Sequence, residues 1–346
     1  MTEASTDRRH RPNLPESRRA ACASAEVRPW TTRAAALFAA VSIVWSIPYL
    51  LIKIAINDGL PPVFLAWARI ALGAAALLTV VPWRDVARAL RSRIGWIAGF
   101  ALAELVLPFP LIAIGEQHVS SSLAAILIAA APLFVALLAP RFDASERVSG
   151  RRLIGLVLGL AGVTALMGLD ISGRLDELLG GVAVLAAALC YAVGPMVLKR
   201  HAADLDPRAA MGVSLAIAGV ILTPFAAAGP PTVTPTPEAL AALAILGFAC
   251  TAAAFVFYYA LIAEVGPGRA TVITYVAPVV AVALGVTVLG ERPGAGAVAG
   301  LLLILAGSWL STDGRLPPGL GERVSRLTGR PRRPEPRRSP LEPASG

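Results

Sequence analysis

Ten long apolar runs constrain this chain more than any other feature of its sequence. They follow one another between Ala34 and Ser311, and most are about 18–24 residues long, the length that an α-helix needs to cross the hydrocarbon core of a bilayer. Charged residues make up only 15% of the 346 residues, against about 25% in soluble domains. Because the strands of a transmembrane β-barrel are alternating and about ten residues long, the sequence predicts an all-α polytopic membrane protein.

The predicted spans divide into two halves of five helices each, residues 34–169 and residues 179–311, joined by an extracytoplasmic loop at residues 170–178. Residues 1–33 and 312–346 are polar and rich in arginine and proline, so we expect disordered cytoplasmic tails. The ten spans are placed at residues 34–56, 62–81, 94–115, 119–139, 152–169, 179–198, 209–228, 239–263, 270–289 and 294–311.

Arginine and lysine are concentrated in alternate loops. Loops 82–93, 140–152 and 198–208 are basic, whereas the loops between them contain only Arg174. Basic loops stay in the cytoplasm, and an even number of spans returns the chain to the side on which it began. We therefore expect a cell-membrane protein with both termini in the cytoplasm. The net charge of +9 follows the same distribution, so no nucleic-acid partner is expected.

The two halves resemble each other at an offset of 146 residues. The offset aligns Trp45 with Tyr191, Lys53 with Lys199, Pro61 with Pro207 and Pro132 with Pro278. Because five spans is an odd number, the second copy must enter the membrane from the opposite side. Inverted repeats of this kind are typical of secondary transporters, whose substrate site lies near mid-membrane between the copies.

Several residues also carry a resemblance to a known family. They are Trp45-Ser46, Lys53 and Arg69, followed by the pattern Pro132, Glu146, Gly155 and Gly162 and its second copy Pro278, Glu291, Gly300 and Gly307. On these residues the chain resembles the EamA family of the drug/metabolite transporter superfamily over about residues 34–311. The resemblance implies a ten-helix secondary transporter that exports or imports a small molecule, without implying a particular substrate. Two residues depart from the family pattern. The family often has glycine at the position of Ser46, and Leu215 occupies the position that aligns with Arg69 in the second half.

Glu104 is a single carboxylate near the middle of the third span. An acid at that depth costs a few kcal/mol and is by default a functional residue. We interpret Glu104 as a proton-titratable or cation-binding group of a central cavity. Two alternatives stay open: a protonated acid that hydrogen-bonds a neighbouring helix, and a pair with Arg69 that is structural or acts as a gate. The aligned residue of the second half is Cys250, so the acid is particular to this chain.

Other candidate residues belong to five groups. Aromatic residues could line a cavity for an amphipathic ligand: Trp45, Tyr49, Tyr191, Tyr258 and Tyr275. Lys53 and Lys199 lie at span ends, where gating competes with snorkelling to the interface. Pro132 and Pro278 are expected to kink their helices. Glu146 and Glu291 are interpreted as helix caps or loop contacts. Small residues at Gly155–Gly162 and Gly300–Gly307 favour close helix contact, within one chain or in a homodimer.

The remaining sequence argues against other functions. The three cysteines and three histidines are scattered, so no metal site and no cofactor is expected. A membrane enzyme would need a cluster of catalytic groups, a receptor or scaffold would need a large loop, and an ATP-driven pump would need a P-loop. The sequence therefore predicts a secondary active transporter of a metabolite, amino acid or drug-like molecule that works by alternating access. We expect an exporter, and proton coupling is left open.

Overall fold

The computed structural model describes residues 31–142, 150–169, 174–201 and 204–311, and the regular structure in these ranges is entirely helical. The predicted tails, apart from residues 31–33 at the start of α1, lie outside the described residues, as does Glu146. Ten helical segments follow in chain order: α1 (Thr32–Val44 and Ile47–Asn57), α2 (Pro62–Val80), α3 (Trp83–Ala101, Leu102–Val106 and Pro108–Glu116), α4 (Ser121–Ile128 and Ala131–Phe142), α5 (Arg151–Leu169), α6 (Leu175–His201), α7 (Pro207–Ala228), α8 (Pro237–Gly247, Phe248–Ala253 and Ala254–Val265), α9 (Pro267–Ala270 and Ile273–Leu289) and α10 (Ala295–Ser311).

Eight of these described segments are long and apolar enough to cross a membrane by length and composition. The other two, Ile273–Leu289 of α9 and Ala295–Ser311 of α10, are apolar but shorter. The predicted class, an all-α polytopic membrane protein, is confirmed. The prediction of ten complete crossings stays a prediction for the last two helices.

The two halves pack against each other in a symmetric pattern. Equivalent helices meet directly, α2 with α7, α4 with α9 and α5 with α10, while α1 packs on α8 as α6 packs on α3. Exchanging the halves leaves this set of contacts unchanged, as expected for a repeat related by a two-fold axis. The interior of the bundle is therefore formed jointly by both halves.

The closest of these contacts joins α5 to α10 through glycines. A Cβ atom at Gly162 would lie 3.0 Å from the Gly300 carbonyl oxygen, and one at Gly155 would lie 2.6 Å from the Gly307 carbonyl oxygen. Only glycine allows the two backbones to approach this closely. Of the two uses expected for these small residues, the structure has the contact within one chain.

Both halves contain a π-helical turn at the same place, Leu102–Val106 in α3 and Phe248–Ala253 in α8. The starting residues, Leu102 and Phe248, are 146 positions apart, which is the offset of the sequence repeat. Such turns are rare in proteins overall, and many of those that occur lie at functional sites. Glu104 lies inside the first of them.

Two predicted boundaries are wrong. Loop 82–93 is helical from Trp83, and Arg93 alone departs from helical geometry (φ −140°, ψ 18°). The first turns of this helix bury Val86 and Ala89 and expose their arginines. The segment is therefore amphipathic, and its apolar face packs against the rest of the protein. Helix α6 begins at Leu175, inside the predicted loop 170–178, because Asp176 and Glu177 favour a helix N-terminus.

Two helices are interrupted within their spans. Helix α1 is interrupted at Trp45 and Ser46 and α4 at Ala129 and Ala130. In α1 the interruption precedes Pro48, which has no N–H to donate to the preceding turn. The break in α4 likewise comes just before Pro132, whereas Pro278 lies inside the helix Ile273–Leu289.

Candidate functional site

The π-helical turn of α3 holds Glu104 in the interior of the bundle. The Leu107 N–H donates to the Leu102 carbonyl oxygen, five residues back, at 3.1 Å. Oxygen Oε2 of Glu104 is buried and has no hydrogen-bond partner in the described chain. It lies against Gly194 of α6, where a Cβ atom would overlap it. An unsatisfied buried oxygen costs roughly 1–3 kcal/mol, so this position is poorly explained by stability alone.

Aromatic side chains surround this region. The Trp45 ring lies 4.7 Å from the Tyr258 ring and 5.7 Å from the Phe255 ring, measured between centroids. The carboxyl group of Glu104 is within electrostatic range of the hydroxyls of Tyr191, Tyr258 and Tyr259. The structure thus brings Glu104 together with Tyr191 and Tyr258 and places Trp45 against Tyr258.

Tyr275 lies further toward the start of α9. It packs with Trp45 and Tyr258 against one group of buried residues that includes Phe38 and Ile273. Its hydroxyl donates to the Ser308 carbonyl oxygen at 3.3 Å. Tyr275 is therefore connected to the aromatic residues near Glu104 through Trp45 and Tyr258.

Arg69 makes contacts that differ from the predicted pair. Its Nε donates to Oγ1 of Thr251 at 2.9 Å, and its guanidinium lies 4.3 Å from the centroid of the Phe109 ring. Thr251 belongs to the π-helical turn of α8 and in turn donates to the Leu246 carbonyl oxygen. Among the described residues Arg69 forms no ion pair with Glu104, so the alternative of a paired acid is not the arrangement found.

A second acid, Glu116, lies just beyond the predicted third span, residues 94–115, and is completely buried. It is the last residue of α3, its exposed fraction is 0%, and neither carboxyl oxygen has a hydrogen-bond partner in the described chain. Arg69 and Tyr49 lie within electrostatic range of it. One signal could have revealed it, because an acid at a helix C-terminus opposes the helix dipole and therefore needs another reason to be there.

Lys53 of α1 binds the turn that follows Glu116. Its ammonium group donates to the carbonyl oxygens of Glu116 at 2.6 Å and Val119 at 3.0 Å. Carbonyl oxygens at a helix C-terminus are favourable partners for a cation. Lys53 therefore fixes α1 to the α3–α4 turn instead of extending toward the membrane surface. The side chain of Lys199 lies outside the described residues.

Glu291, between α9 and α10, caps the start of helix α4 in the other half of the chain. Its carboxylate accepts the backbone N–H groups of Ser121 and Ser122, at 2.7 and 2.9 Å, at the start of α4. Partial burial raises the pKa of Glu291, but the hydrogen bonds from Ser122 and Ser121 outweigh it and hold the pKa below its usual value. Glu291 is an ionised helix cap, in keeping with the interpretation of this residue as a cap.

A groove in the described part of the chain does not contain the predicted ligand-facing residues. Its volume is about 330 Å³, and its wall is apolar: Ile126, Val282, Val286, Pro293, Ala297, Val298, Leu301 and Leu302. Within the described ranges, no three His, Cys, Asp or Glu side chains converge as metal ligands would. The candidate site is therefore the packed interior around Glu104, Arg69 and Glu116, with tyrosines between them.

Comparison with known proteins shows which family the chain is similar to. The model of the EamA-like transporter family matches the chain twice, at residues 32–168 and 178–312. An uncharacterized transporter of Archaeoglobus fulgidus is 26% identical over 80% of this chain and 96% of its own.

Two Escherichia coli K12 proteins are also similar. A probable amino-acid metabolite efflux pump is 26% identical over 79% of this chain and 93% of its own. The uncharacterized inner membrane transporter YedA is 29% identical over 74% of this chain and 82% of its own. A crystal structure superposes with a TM-score of 0.57 at 20% identity, covering 81% of this chain and 97% of the other, and this likeness supports the fold alone.

Proposed function

Because the chain belongs to the EamA-like transporter family and is thus a multi-pass membrane transporter of small molecules, we propose that it is a proton-coupled exporter. Glu104 is the coupling residue in this proposal. The two halves exchange conformations so that a site between them opens first to the cytoplasm and then to the other side. Ten crossings with both termini in the cytoplasm and an inverted second half complete the proposed arrangement.

The observation that carries the proposal is the buried Oε2 of Glu104, which has no partner in the described chain. A carboxyl group that no protein donor satisfies is available to a proton or to a cationic group of the substrate. Its place in a π-helical turn supports a functional reading, since such turns persist at functional sites. The residue that aligns with Glu104 in the second half is Cys250, so the two halves have different roles in this proposal.

The neighbours of Glu104 support a small amphipathic substrate. Trp45, Tyr191, Tyr258 and Tyr259 each combine an apolar ring with a polar edge, and such side chains recur in ligand sites. Export is supported by the relative that is named an amino-acid metabolite efflux pump.

The test begins with growth of an overexpressing strain in inhibitory amounts of amino acids, sugars and cationic dyes such as ethidium. A compound to which the strain becomes tolerant is then followed in proteoliposomes with an imposed pH gradient. We expect Glu104→Gln to reduce pH-driven transport to the level of empty liposomes while leaving membrane insertion intact. Glu238→Gln, which removes an exposed acid of α8, is the matched control and should transport normally.

A second variant tests the geometry around Glu104. Gly194→Ala adds a methyl group that overlaps Oε2 of Glu104, so it should impair pH-driven transport. Transport by Glu104→Gln that keeps its dependence on the pH gradient would overturn proton coupling at this residue. Tolerance to none of the compound classes would argue against export itself.

A further inference from the structure

Glu116 is the second buried acid of α3, and the proposed coupling at Glu104 does not use it. The two residues are 12 positions apart, or about 18 Å at 1.5 Å per residue. In the proposed orientation Glu116 therefore lies at the extracytoplasmic end of the bundle. Both of its carboxyl oxygens are buried and lack partners within the described chain, and a carboxylate in such surroundings is costly unless it is protonated or paired.

The nearest cation leaves this acid unpaired. Lys53 directs its ammonium group to the carbonyl oxygens of Glu116 and Val119, although its charge acts directly on the Glu116 carboxyl group. A lysine side chain is long and flexible. Rotation of that side chain would carry the ammonium group from the two carbonyl oxygens to the carboxyl group. Two arrangements of one residue pair are thus available, and in the one observed the carboxyl group has no hydrogen-bond partner within the described chain.

Charged and titratable groups face Glu116 from three neighbouring elements. Lys53 and Tyr49 face it from α1, Arg69 from α2, and Glu291 from the loop between α9 and α10. The carboxylate of Glu291 is held by Ser121 and Ser122, so its negative charge stays fixed and opposes a second one nearby. Lys53 is the member of this set that can change its distance from Glu116 by rotating one side chain.

Two tyrosines lie between the two acids of α3. Tyr191 is within electrostatic range of Glu104 and of Tyr49, and Tyr49 is within range of Glu116. Both rings pack against the same group of buried residues, which includes Ile112 of α3. Titratable groups therefore extend from the middle of the bundle to its extracytoplasmic end.

We propose that Glu116 is a proton-exchange site at the extracytoplasmic end of the transport path and that Lys53 controls its release of the proton. The inference rests on the proposed proton-coupled function. The O–H bond of the Glu116 carboxylic acid breaks as the Lys53 ammonium moves from the carbonyl oxygens to the carboxylate. The proton passes to water at the exposed turn of Gln117 and His118, and the reverse movement restores the acid.

Infrared spectroscopy tests this without a transported substrate. The full-length protein in liposomes is titrated with pH, and the carbonyl band of protonated carboxylic acids is followed. We expect two buried acid components in the native protein. Glu116→Gln removes one, Glu104→Gln removes the other, and the control Glu238→Gln removes neither.

Variants of Lys53 test the control of release. Lys53→Met should move the titration midpoint of the Glu116 component to higher pH by about one unit or more, because a nearby positive charge no longer favours the carboxylate. Lys53→Arg keeps the charge and should leave the midpoint close to that of the native protein.

Two results would overturn the inference. A native spectrum unchanged by Glu116→Gln means that this residue does not titrate as a buried acid, and a midpoint unmoved by Lys53→Met means that Lys53 does not control it. If the glutamine variant does not insert, Glu116→Asp serves instead and should shift the frequency of the same component. Failure of transport in the Glu104 experiment leaves this readout unaffected, so the two proposals fail separately.

Discussion

At the scale of single residues, three acids receive different numbers of hydrogen-bond donors. Glu291 accepts the backbone N–H groups of Ser121 and Ser122 and the hydroxyl of Ser122, which satisfies an anion at a helix N-terminus. Oε2 of Glu104 and both oxygens of Glu116 have no donor within the described residues. Donors thus separate an acid that supports the fold from the two for which we propose proton exchange.

Glu291→Gln should remove the pH dependence that this cap gives to the free energy of unfolding. The folded pKa of Glu291 lies below its ordinary value, so its stabilisation is complete above the unfolded pKa of about 4.3 and is lost as pH falls through the folded pKa. We expect the variant to be less stable by about 1 kcal/mol at pH 7. Glutamine cannot accept both serine N–H groups, since half of its amide is a donor.

Thermal unfolding of the detergent-solubilised protein between pH 7 and pH 3 measures this effect. The difference between native protein and variant should shrink as the pH falls, whereas Glu238→Gln, on an exposed residue, should follow the native curve throughout. A constant difference across the whole range would show that the ionised form of Glu291 is not what stabilises the start of α4.

The sequence predicted part of this site. Glu104, Arg69 and the tyrosines were identified because a polar or aromatic residue in an apolar span is conspicuous. Glu116 was not, because it ends an apolar run and precedes two exposed polar residues, Gln117 and His118. Its burial depends on Lys53 and on packing from α1 and α2, which no local pattern reveals.

At the scale of helices, the contact between α5 and α10 depends on having no side chains at its centre. A Cβ atom on Gly307 would overlap backbone atoms of Gly155 and Gly159. Backbone atoms cannot rotate away as the end of a flexible side chain can, so the two helices would have to separate. This pair is the most intimate contact between the two halves.

Gly307→Ala should therefore destabilise the protein by about 1–3 kcal/mol, the usual cost of overpacking. The matched control is Gly168→Ala in α5, where an added Cβ meets no atom within 4 Å. Thermal unfolding in detergent compares the two. Equal midpoints for both variants would contradict a close α5–α10 contact.

Interruptions and irregular turns were harder to predict than helices. Apolar runs gave the existence of each helix, because length and hydropathy are enough for that. The π-helical turns at Leu102–Val106 and Phe248–Ala253 have no such local signal. Their occurrence at equivalent positions shows that the repeat preserves backbone irregularity as well as sequence.

At the scale of the whole molecule, a symmetric framework carries an asymmetric set of charges. Equivalent helices meet across the interface between the halves. The charged residues have no charged equivalents, because Glu104, Arg69 and Glu116 align with Cys250, Leu215 and Ile262. Symmetry allows the halves to exchange conformations. Keeping the acids in one half confines the proposed proton chemistry to one helix, α3, through both conformations.

The inverted arrangement of the halves makes a direct prediction about sidedness. Ser92 and Glu238 are 146 positions apart and both exposed, so they are equivalent residues of the two halves. If the second half is inverted, Ser92 lies in the cytoplasm and Glu238 outside. Gln117, exposed in the α3–α4 turn, should lie on the same side as Glu238.

Cysteines introduced at these positions, in a background without Cys22, Cys190 and Cys250, can be labelled in intact cells with a membrane-impermeant maleimide. We expect Glu238→Cys and Gln117→Cys to react and Ser92→Cys to react only after the membrane is permeabilised. Labelling of Ser92→Cys and Glu238→Cys from the same side would mean parallel repeats. Alternating access by exchange of two inverted halves would then lose its basis, whereas the proton chemistry proposed for α3 would not depend on the result.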